Sequence, residues 1–408
     1  MDVVHERVAG IDISKADVKV CVRVGRARRV VRTFSTMTKD LLQMRDWLRE
    51  LGISVVGMEA TGAYWKPVYY LLEDEFDVQL LNARHVHNVP GRKTDVIDSD
   101  WICQMVRHGL IRASFVPPEP VRQLRDVARY RAVIVRERAA EEQRLEKLLE
   151  DAGIKLSVVV SDLLGKSSRS MLEAMIAGER DPEVLAGMAL RRMKSKRPQL
   201  VEALTGRFAE HHAFLARAML DRIDACTVIV DRLSEQIDAM MTPWRNQAEL
   251  LTTIPGVGTR VAEVILSEIS TNMSWFPTAR HLASWAGVCP GNNESGGRQR
   301  SGRARPGNAW LQAALGDAAL NIARNRTSYL SALYRRIASR RGKRRAIVAV
   351  QHSILVSVWH MLRADTPYQE LGPDYFTTRH GAERKTRKLI GQLNDLGFTV
   401  TLNPLEAA

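Results

Sequence analysis

The sequence predicts an α/β domain at the N-terminus followed by a mainly helical remainder, and three observations lead there. Short β-branched runs alternate with helical segments over residues 6–109. Residues 121–154 and 214–241 carry apolar side chains at helical spacing among alternating charges. Beyond residue 248 the patterning is again helical, now with a large excess of Lys and Arg.

The N-terminal elements follow in order. "ERVAGIDI" (6–13), "DVKVCVRV" (17–24) and "RRVVRTF" (28–34) are β-branched runs separated by polar or Gly-containing breaks, so they read as a three-stranded meander. "TKDLLQMRDWLREL" (38–51) places Leu41, Leu42, Met44, Trp47, Leu48 and Leu51 near helical period. "ISVVGME" (53–59) returns as a strand, "YWKPVYYLLED" (64–74) reads as a Pro-bearing helix, and "FDVQLLN" (76–82) as a fifth strand. After a polar loop, "KTDVIDSDWICQMVRHG" (93–109) is a helix that stops at Gly109.

The order β-β-β-α-β-α-β-α is that of the ribonuclease H-like fold, and its acids fall at element ends. Asp12 closes the first strand, Glu59 closes the fourth, and Asp95 and Asp98 sit three apart on one face of the last helix. Three have a plain reading, a turn cap for Asp12 and first-turn acids favoured by the helix dipole for Asp95 and Asp98, whereas Glu59 stands where the apolar "VVGM" meets the small-residue turn "ATGAY" and is harder to dismiss. As a set of strand end, strand end and helix they read as a metal site, because carboxylates brought together repel unless a cation lies between them. Mg²⁺ suits such a site, since it takes few carboxylates and leaves positions for phosphate oxygens. Asp100 lies on a different helical face and is left out of the set.

The middle of the chain, "VRQLRDVARYRAVIVRERAAEEQRLEKLLEDAGI" (121–154) and "FLARAMLDRIDACTVIVDRLSEQIDAMM" (214–241), predicts two long helices. They form either a coiled-coil arm, paired with each other or with another chain, or a plain helical bundle. "LLTTIPGVGTRVAEVILSEI" (250–269) reads as helix, "PGVG" hairpin, helix. Gly256 and Gly258 there let backbone N–H groups hold a phosphate without reading sequence. Next comes "NNESGGRQRSGR" (292–303), where Arg298, Arg300, Arg303 and Arg305 surround Ser295 and Ser301. Guanidinium groups clamp phosphates, while nothing titratable nearby except Glu294 can activate a hydroxyl, so local chemistry does not choose between the serines.

Charge sharpens the division. The chain carries a formal net charge of +14, with fourteen Lys/Arg against two Asp/Glu over residues 277–345 and seventeen against fifteen over residues 1–112. That asymmetry points to a nucleic-acid partner for the C-terminal third. No run of some 18 apolar residues is present and "DVVHER" lacks the pattern of a signal peptide, so the expectation is a cytoplasmic protein without a membrane partner. Cys21, Cys103, Cys226 and Cys289 have neither metal-ligand nor disulfide spacing and read as reduced thiols.

"GIDISK", "GMEATGAYW", "GRKTDVIDSD", "IPGVGTRVA" and "ASWAGVCPGNNESGGRQRSGRARPGN" occur in this order, and by them the chain resembles the insertion-sequence transposases of the IS-110 group over residues 5–115 and 248–345. The resemblance implies a RuvC-like, ribonuclease H-like domain with a DEDD acid set, here Asp12, Glu59, Asp95 and Asp98 as Mg²⁺ ligands. It also implies a C-terminal transposase domain whose nucleophile is Ser295, the serine before the Gly-Gly pair. Recombination of element ends with a target through a phosphoserine intermediate, guidance by an element-encoded RNA, and assembly as a dimer or tetramer are further implications. The chain departs from the group in having Ser99 and Asp100 where Ala usually follows the second helix aspartate. The expected division is 1–118 for the acidic domain, 119–247 for the helical middle, 248–365 for the serine-bearing domain and 366–408 for a polar tail. Two competing readings stay open: a junction-resolving Mg²⁺-dependent endonuclease in which Ser295 only touches phosphate, and a non-catalytic nucleic-acid-binding protein.

Overall fold

A five-stranded mixed sheet dominates the N-terminal part of the computed structural model of the chain. Residues 2–25, 29–60, 62–82, 95–111, 113–289, 294–295, 297–299, 306–376 and 382–402 are described. The chain divides into two units, Met1–Val116 and Pro117–Ala408.

In the first unit, β1 (Arg7–Ile13), β2 (Asp17–Val24) and β3 (Val30–Ser35) form the expected antiparallel meander. The first turn is tight because Ser14 Oγ accepts from the N–H groups of Ala16 and Asp17, at 3.2 and 3.0 Å. Crossovers through α1 (Thr38–Glu50) and α2 (Trp65–Leu72) then add β4 (Val55–Glu59) and β5 (Asp77–Leu81) parallel to β1. The strand order is β3-β2-β1-β4-β5, a mixed sheet in which β2 runs antiparallel to β1 and β3 while β4 and β5 run parallel to β1. α3 (Asp95–Arg107) closes the unit.

Alternation of side chains along the strands sorts the sheet into two faces. Ala9, Ile11, Ile13, Val18, Val20, Val22, Val56 and Met58 form one core with Leu41, Met44, Trp47 and Leu48 of α1. Val8, Cys21, Val55 and Leu81 form the other with Ile102, Cys103, Met105 and Val106 of α3. Two glycines let α3 come down directly on this second face. Gly10 and Gly57 are register partners on β1 and β4. A Cβ on Gly10 would lie 2.2 Å from the backbone N of Cys103 and 2.3 Å from the carbonyl O of Ser99, and one on Gly57 would lie 2.3 Å from Val106 Cγ2.

The second unit is helical. α4 (Glu119–Asp151) and α9 (Glu210–Met241) pair with each other and run antiparallel: Arg131 meets Ser234, Arg138 meets Thr227, and Asp151 meets His212. Ile134, Cys226 and Val230 seal the seam. The segment between them, which has no motif in the sequence, folds as α5 (Leu156–Val159), α6 (Lys166–Ile176), α7 (Pro182–Gly187) and α8 (Arg197–Leu204). These short helices share one core with Leu145, Leu149, Leu220 and Ile223, so the hairpin of long helices ends in a small bundle.

Onward run α10 (Arg245–Thr252), α11 (Thr259–Ile269), α12 (Ala279–Trp285), the two-residue strands β6 (Glu294–Ser295) and β7 (Arg298–Gln299), α13 (Ala309–Arg324), α14 (Tyr329–Arg341), α15 (Lys343–Ala364) and α16 (Ala382–Asp395). α15 has the length and mean hydropathy, 1.2, of a membrane span. It is a core helix here: Val350, Ile354, Leu355 and Val358 are buried, and Trp359 donates to the Phe276 carbonyl at 2.8 Å.

Candidate active site

The second face of the sheet carries the acids. Asp12 lies two residues beyond Gly10 and Glu59 two beyond Gly57, so strand alternation turns both toward α3. They are in step as well as on one face, because Ile11 and Met58 are register partners and the acids are the next residue on each parallel strand.

The direction of α3 brings its first turn to the same edge. The N–H groups of Val4 and His5 donate to the carbonyl of Arg107 at the end of the helix, and Cys103 Sγ contacts the carbonyl of Val8 at 3.7 Å. Gly10 then lies against Ser99 and Cys103. Four helical residues and two strand residues each advance about 6 Å, so the start of α3 at Asp95 is level with Asp12. Asp98 is one turn further in, and Asp12, Glu59 and Asp98 are all half-buried. A set of half-buried carboxylates with oxygen donors at one sheet edge fits a hard divalent cation.

Asp100, two residues past Asp98, is buried and ion-paired. Arg23 donates to its Oδ1 at 2.8 and 3.1 Å, Arg29 to its Oδ2 at 2.9 Å, Gln104 to its Oδ2 at 3.1 Å, and the Cys21 thiol contacts Oδ1 at 3.4 Å. Burial alone would raise the Asp100 carboxyl, but Arg23, Cys21 and Arg29 outweigh it and hold it below the usual carboxylate range. The hydrogen bond with Cys21 and burial push the Cys103 thiol far up. Ser99, between the two aspartates, is fully buried, and its hydroxyl has no hydrogen-bond partner among the described residues.

One neighbour of the acids escaped the sequence reading. Lys19 of β2 is the register partner of Asp12, half-buried and on the same face. The signal was the period-2 row Lys19, Cys21, Arg23 in "DVKVCVRV", which marks a polar stripe on the face that α3 covers.

The serine stretch lies in the second unit, and the backbone of its middle forms a hairpin. Ser295 pairs with Arg298 and Glu294 with Gln299, while Gly297 takes a φ of 72° in the turn. Ser301, Arg300, Arg303 and Arg305 lie outside the described residues. The two ends of the stretch are pinned together. A Cβ on Gly307 would lie 2.3 Å from the carbonyl O of Ala286, and the Gln312 amide donates to the carbonyls of Ala286 and Gly287 at 2.8 and 3.3 Å. Asn308 Oδ1 caps α13 by accepting from Trp310 and Leu311. Its amide donates to Glu268, a carboxylate that is 1% exposed and also held by Arg125 and Arg129. Glu268 therefore ties α4 and α11 to the point where the serine stretch re-enters the helical core.

The "PGVG" turn joins α10 to α11. Gly256 has a φ of 83° and packs on Ala318 and Ile322, where a Cβ would lie 2.7 Å from each. Gly258 sits in open space as the residue before α11, whose first turn is exposed and has no side-chain cap.

Asp151, His211 and His212 bring ligand atoms within 4.8 Å of one another in the helical middle. His212 Nδ1 accepts from the N–H of Ala209 at 3.0 Å, which leaves the proton on Nε2, facing Asp151 at 3.2 Å. With that tautomer the histidine caps a helix start, and its Nε2 is a donor to the carboxylate.

Comparisons with known proteins agree with this layout. A family model described as "Transposase" and named for the DEDD acids of IS110 elements matches residues 9–154, and one described as "Transposase IS116/IS110/IS902 family" matches residues 248–335. Together they cover more than half of the chain. The chain is 26% identical to a "Probable family 20 transposase" of Pseudomonas aeruginosa, over 80% of this chain and 89% of the relative. It is 23% identical to the "Transposase for insertion sequence element IS1111A" of Coxiella burnetii, over 89% and 91%. A "Pilin gene-inverting protein" of Moraxella bovis is 29% identical over 35% of this chain and 45% of its own length. A DEDD domain of this kind implies a divalent metal.

Proposed function

The chain belongs to the IS116/IS110/IS902 family of transposases, enzymes of DNA strand cleavage and transfer, and on that premise we propose that it recombines an insertion element with its target through a covalent link to Ser295. The observation that carries the reading is the convergence of Asp12, Glu59 and the first turn of α3 on one edge of the sheet. In this reading the Ser295 hydroxyl attacks a phosphodiester. Its oxygen–phosphorus bond forms as the bond to one strand oxygen breaks, and the hydroxyl proton ends on the released strand. Attack by a second strand's hydroxyl on the phosphoserine then regenerates Ser295, so phosphodiester bonds are conserved.

Asp12, Glu59, Asp95 and Asp98 would hold Mg²⁺. When bound, such an ion acidifies a coordinated hydroxyl and offsets the charge that builds on phosphorus. Lys19, beside Asp12, adds a fixed positive charge for a phosphate oxygen. Arg298, Arg300, Arg303 and Arg305, with the backbone at Gly256 and Gly258, would grip the DNA backbone around the serine. The paired helices α4 and α9 would act as a coiled-coil arm for a dimer or tetramer. The basic C-terminal third would also take a guide RNA encoded in the element, in the cytoplasm where the DNA lies.

Cleavage of labelled element-end DNA tests the reading. Asp12→Asn and Glu59→Gln should each lose strand cleavage by at least about a hundredfold, while Ser295→Ala should bind DNA and form no protein–DNA adduct on a denaturing gel. Cleavage at the wild-type rate by Ser295→Ala would instead establish hydrolysis by the acids with water. Undiminished transposition by Glu59→Gln would leave the chain as a binding protein.

A further inference from the structure

From Ala318 to Ala364 the chain contains no Asp or Glu, although it contains ten Lys and Arg residues. The structure gathers five of them at one corner. Arg340 and Arg341 end α14, and Lys343, Arg344 and Arg345 begin α15, with Gly342 alone between the two helices. Gly342 takes a φ of 84° with open space around it, so the chain reverses here without covering the corner. All five side chains are exposed, and among the described residues none has an acidic partner.

Local electrostatics is against part of this arrangement. Cations suit the end of α14, where the dipole is negative, but Lys343, Arg344 and Arg345 occupy the positive end of α15, with no acidic residue in its first turn. Five like charges around one glycine also repel. Such a conflict between local rule and sequence is expected where a ligand of opposite charge resolves it. Two other basic residues of α14 and α15 have structural occupations: Arg336 lies over the Phe376 ring at 4.6 Å and Arg363, at the far end of α15, over the Trp359 ring at 4.9 Å, whereas Arg335 is exposed like the corner five. Among the described residues the corner five have no such contact.

We infer that the α14–α15 corner is a second DNA-binding surface, separate from the serine stretch, that grips the phosphate backbone of duplex DNA without reading sequence. The inference rests on the transposase reading for the choice of DNA as the polyanion. Long, flexible cations on two helix ends meet phosphates from both sides of a groove and release their counterions. The surface would hold the flanks of a site while the hairpin at Ser295 works on its centre.

The test is equilibrium binding of the full chain to a random-sequence duplex across a salt series. It compares the wild type with Lys343→Gln/Arg344→Gln/Arg345→Gln and with Arg340→Gln/Arg341→Gln, with thermal unfolding verifying that each variant folds. The triple variant should flatten the slope of log affinity against log salt by about 2 to 3, at about 0.9 for each phosphate no longer neutralised, and the double variant by about 2. Arg192→Gln/Lys194→Gln, which removes two exposed cations of the helical middle and leaves the corner intact, should keep the wild-type slope. An unchanged slope in both corner variants overturns the inference while leaving the transposase reading intact. So does a loss confined to duplex RNA, or one confined to phosphatidylglycerol vesicles. Absence of duplex binding by the wild type would overturn this inference and the proposed recombination of DNA together.

Discussion

Burial by itself makes a carboxylate costly, yet Asp100 is only 6% exposed and keeps its charge. Arg23 and Arg29 are the reason, and they also explain why two aspartates so close together on α3 have different roles. Asp98 is half-buried at the edge that carries Asp12 and Glu59, whereas Asp100 is consumed by ion pairs that fasten α3 to β2 and the start of β3. Because its folded pKa is depressed, Asp100 contributes stability that is complete above the ordinary carboxylate value of about 4 and is lost as pH falls through the lower folded value. Asp100→Asn should therefore lower stability near neutral pH by about 3 kcal/mol, the low end for a broken buried pair, since both arginines reach solvent. It should also reduce the loss of stability below about pH 4. Urea unfolding over a pH series reads both effects, and a variant whose acid limb overlays the wild type would refute this role.

At the scale of elements, the site depends on how closely α3 approaches the sheet. Gly10 meets helix backbone, which cannot give way, while Gly57 meets a valine methyl, which can turn aside. Gly10→Ala should thus be the more damaging substitution. A shift of about 1 Å in the first turn of α3 is enough to reduce cleavage about a hundredfold, whereas Gly57→Ala should cost far less. Cleavage rates and melting temperatures of the two variants decide it, and equal effects would remove the close-approach explanation. The individual strands and helices of this unit were legible in the sequence because alternation and helical period are local properties. β1, β2, α1, β4 and β5 all lie within two residues of their expected limits. The short helices α5 to α8 were not legible, since four to eleven residues hold too little periodicity to stand out and become helical through the core they share with α4 and α9. The pairing of α4 with α9 was one of several partners that their apolar faces allowed, and the antiparallel contacts select it.

The whole molecule comprises a sheet-centred unit with two cores and a longer helical unit with cores of its own. Unfolding should therefore depart from a single two-state transition, with a calorimetric enthalpy larger than the van't Hoff value. One cooperative transition with equal enthalpies would contradict that division. By itself the sequence determined the element order, the acids at element ends, the glycine-rich serine stretch and the concentration of positive charge beyond residue 277, because each is written in consecutive residues or in simple counts. Only the tertiary structure decided which face of the sheet holds Asp12, Glu59 and Lys19, and that Asp100 belongs to Arg23 and Arg29. It likewise decided that Glu268 ties down the return of the serine stretch and that the five cations around Gly342 stand exposed at a corner between two helices, without an acidic partner among the described residues. The ion pairs of Asp100 and the contacts of Glu268 with Asn308 and Arg129 join residues 40 to 139 positions apart, and their energies depend on burial and distance, which the linear pattern does not encode.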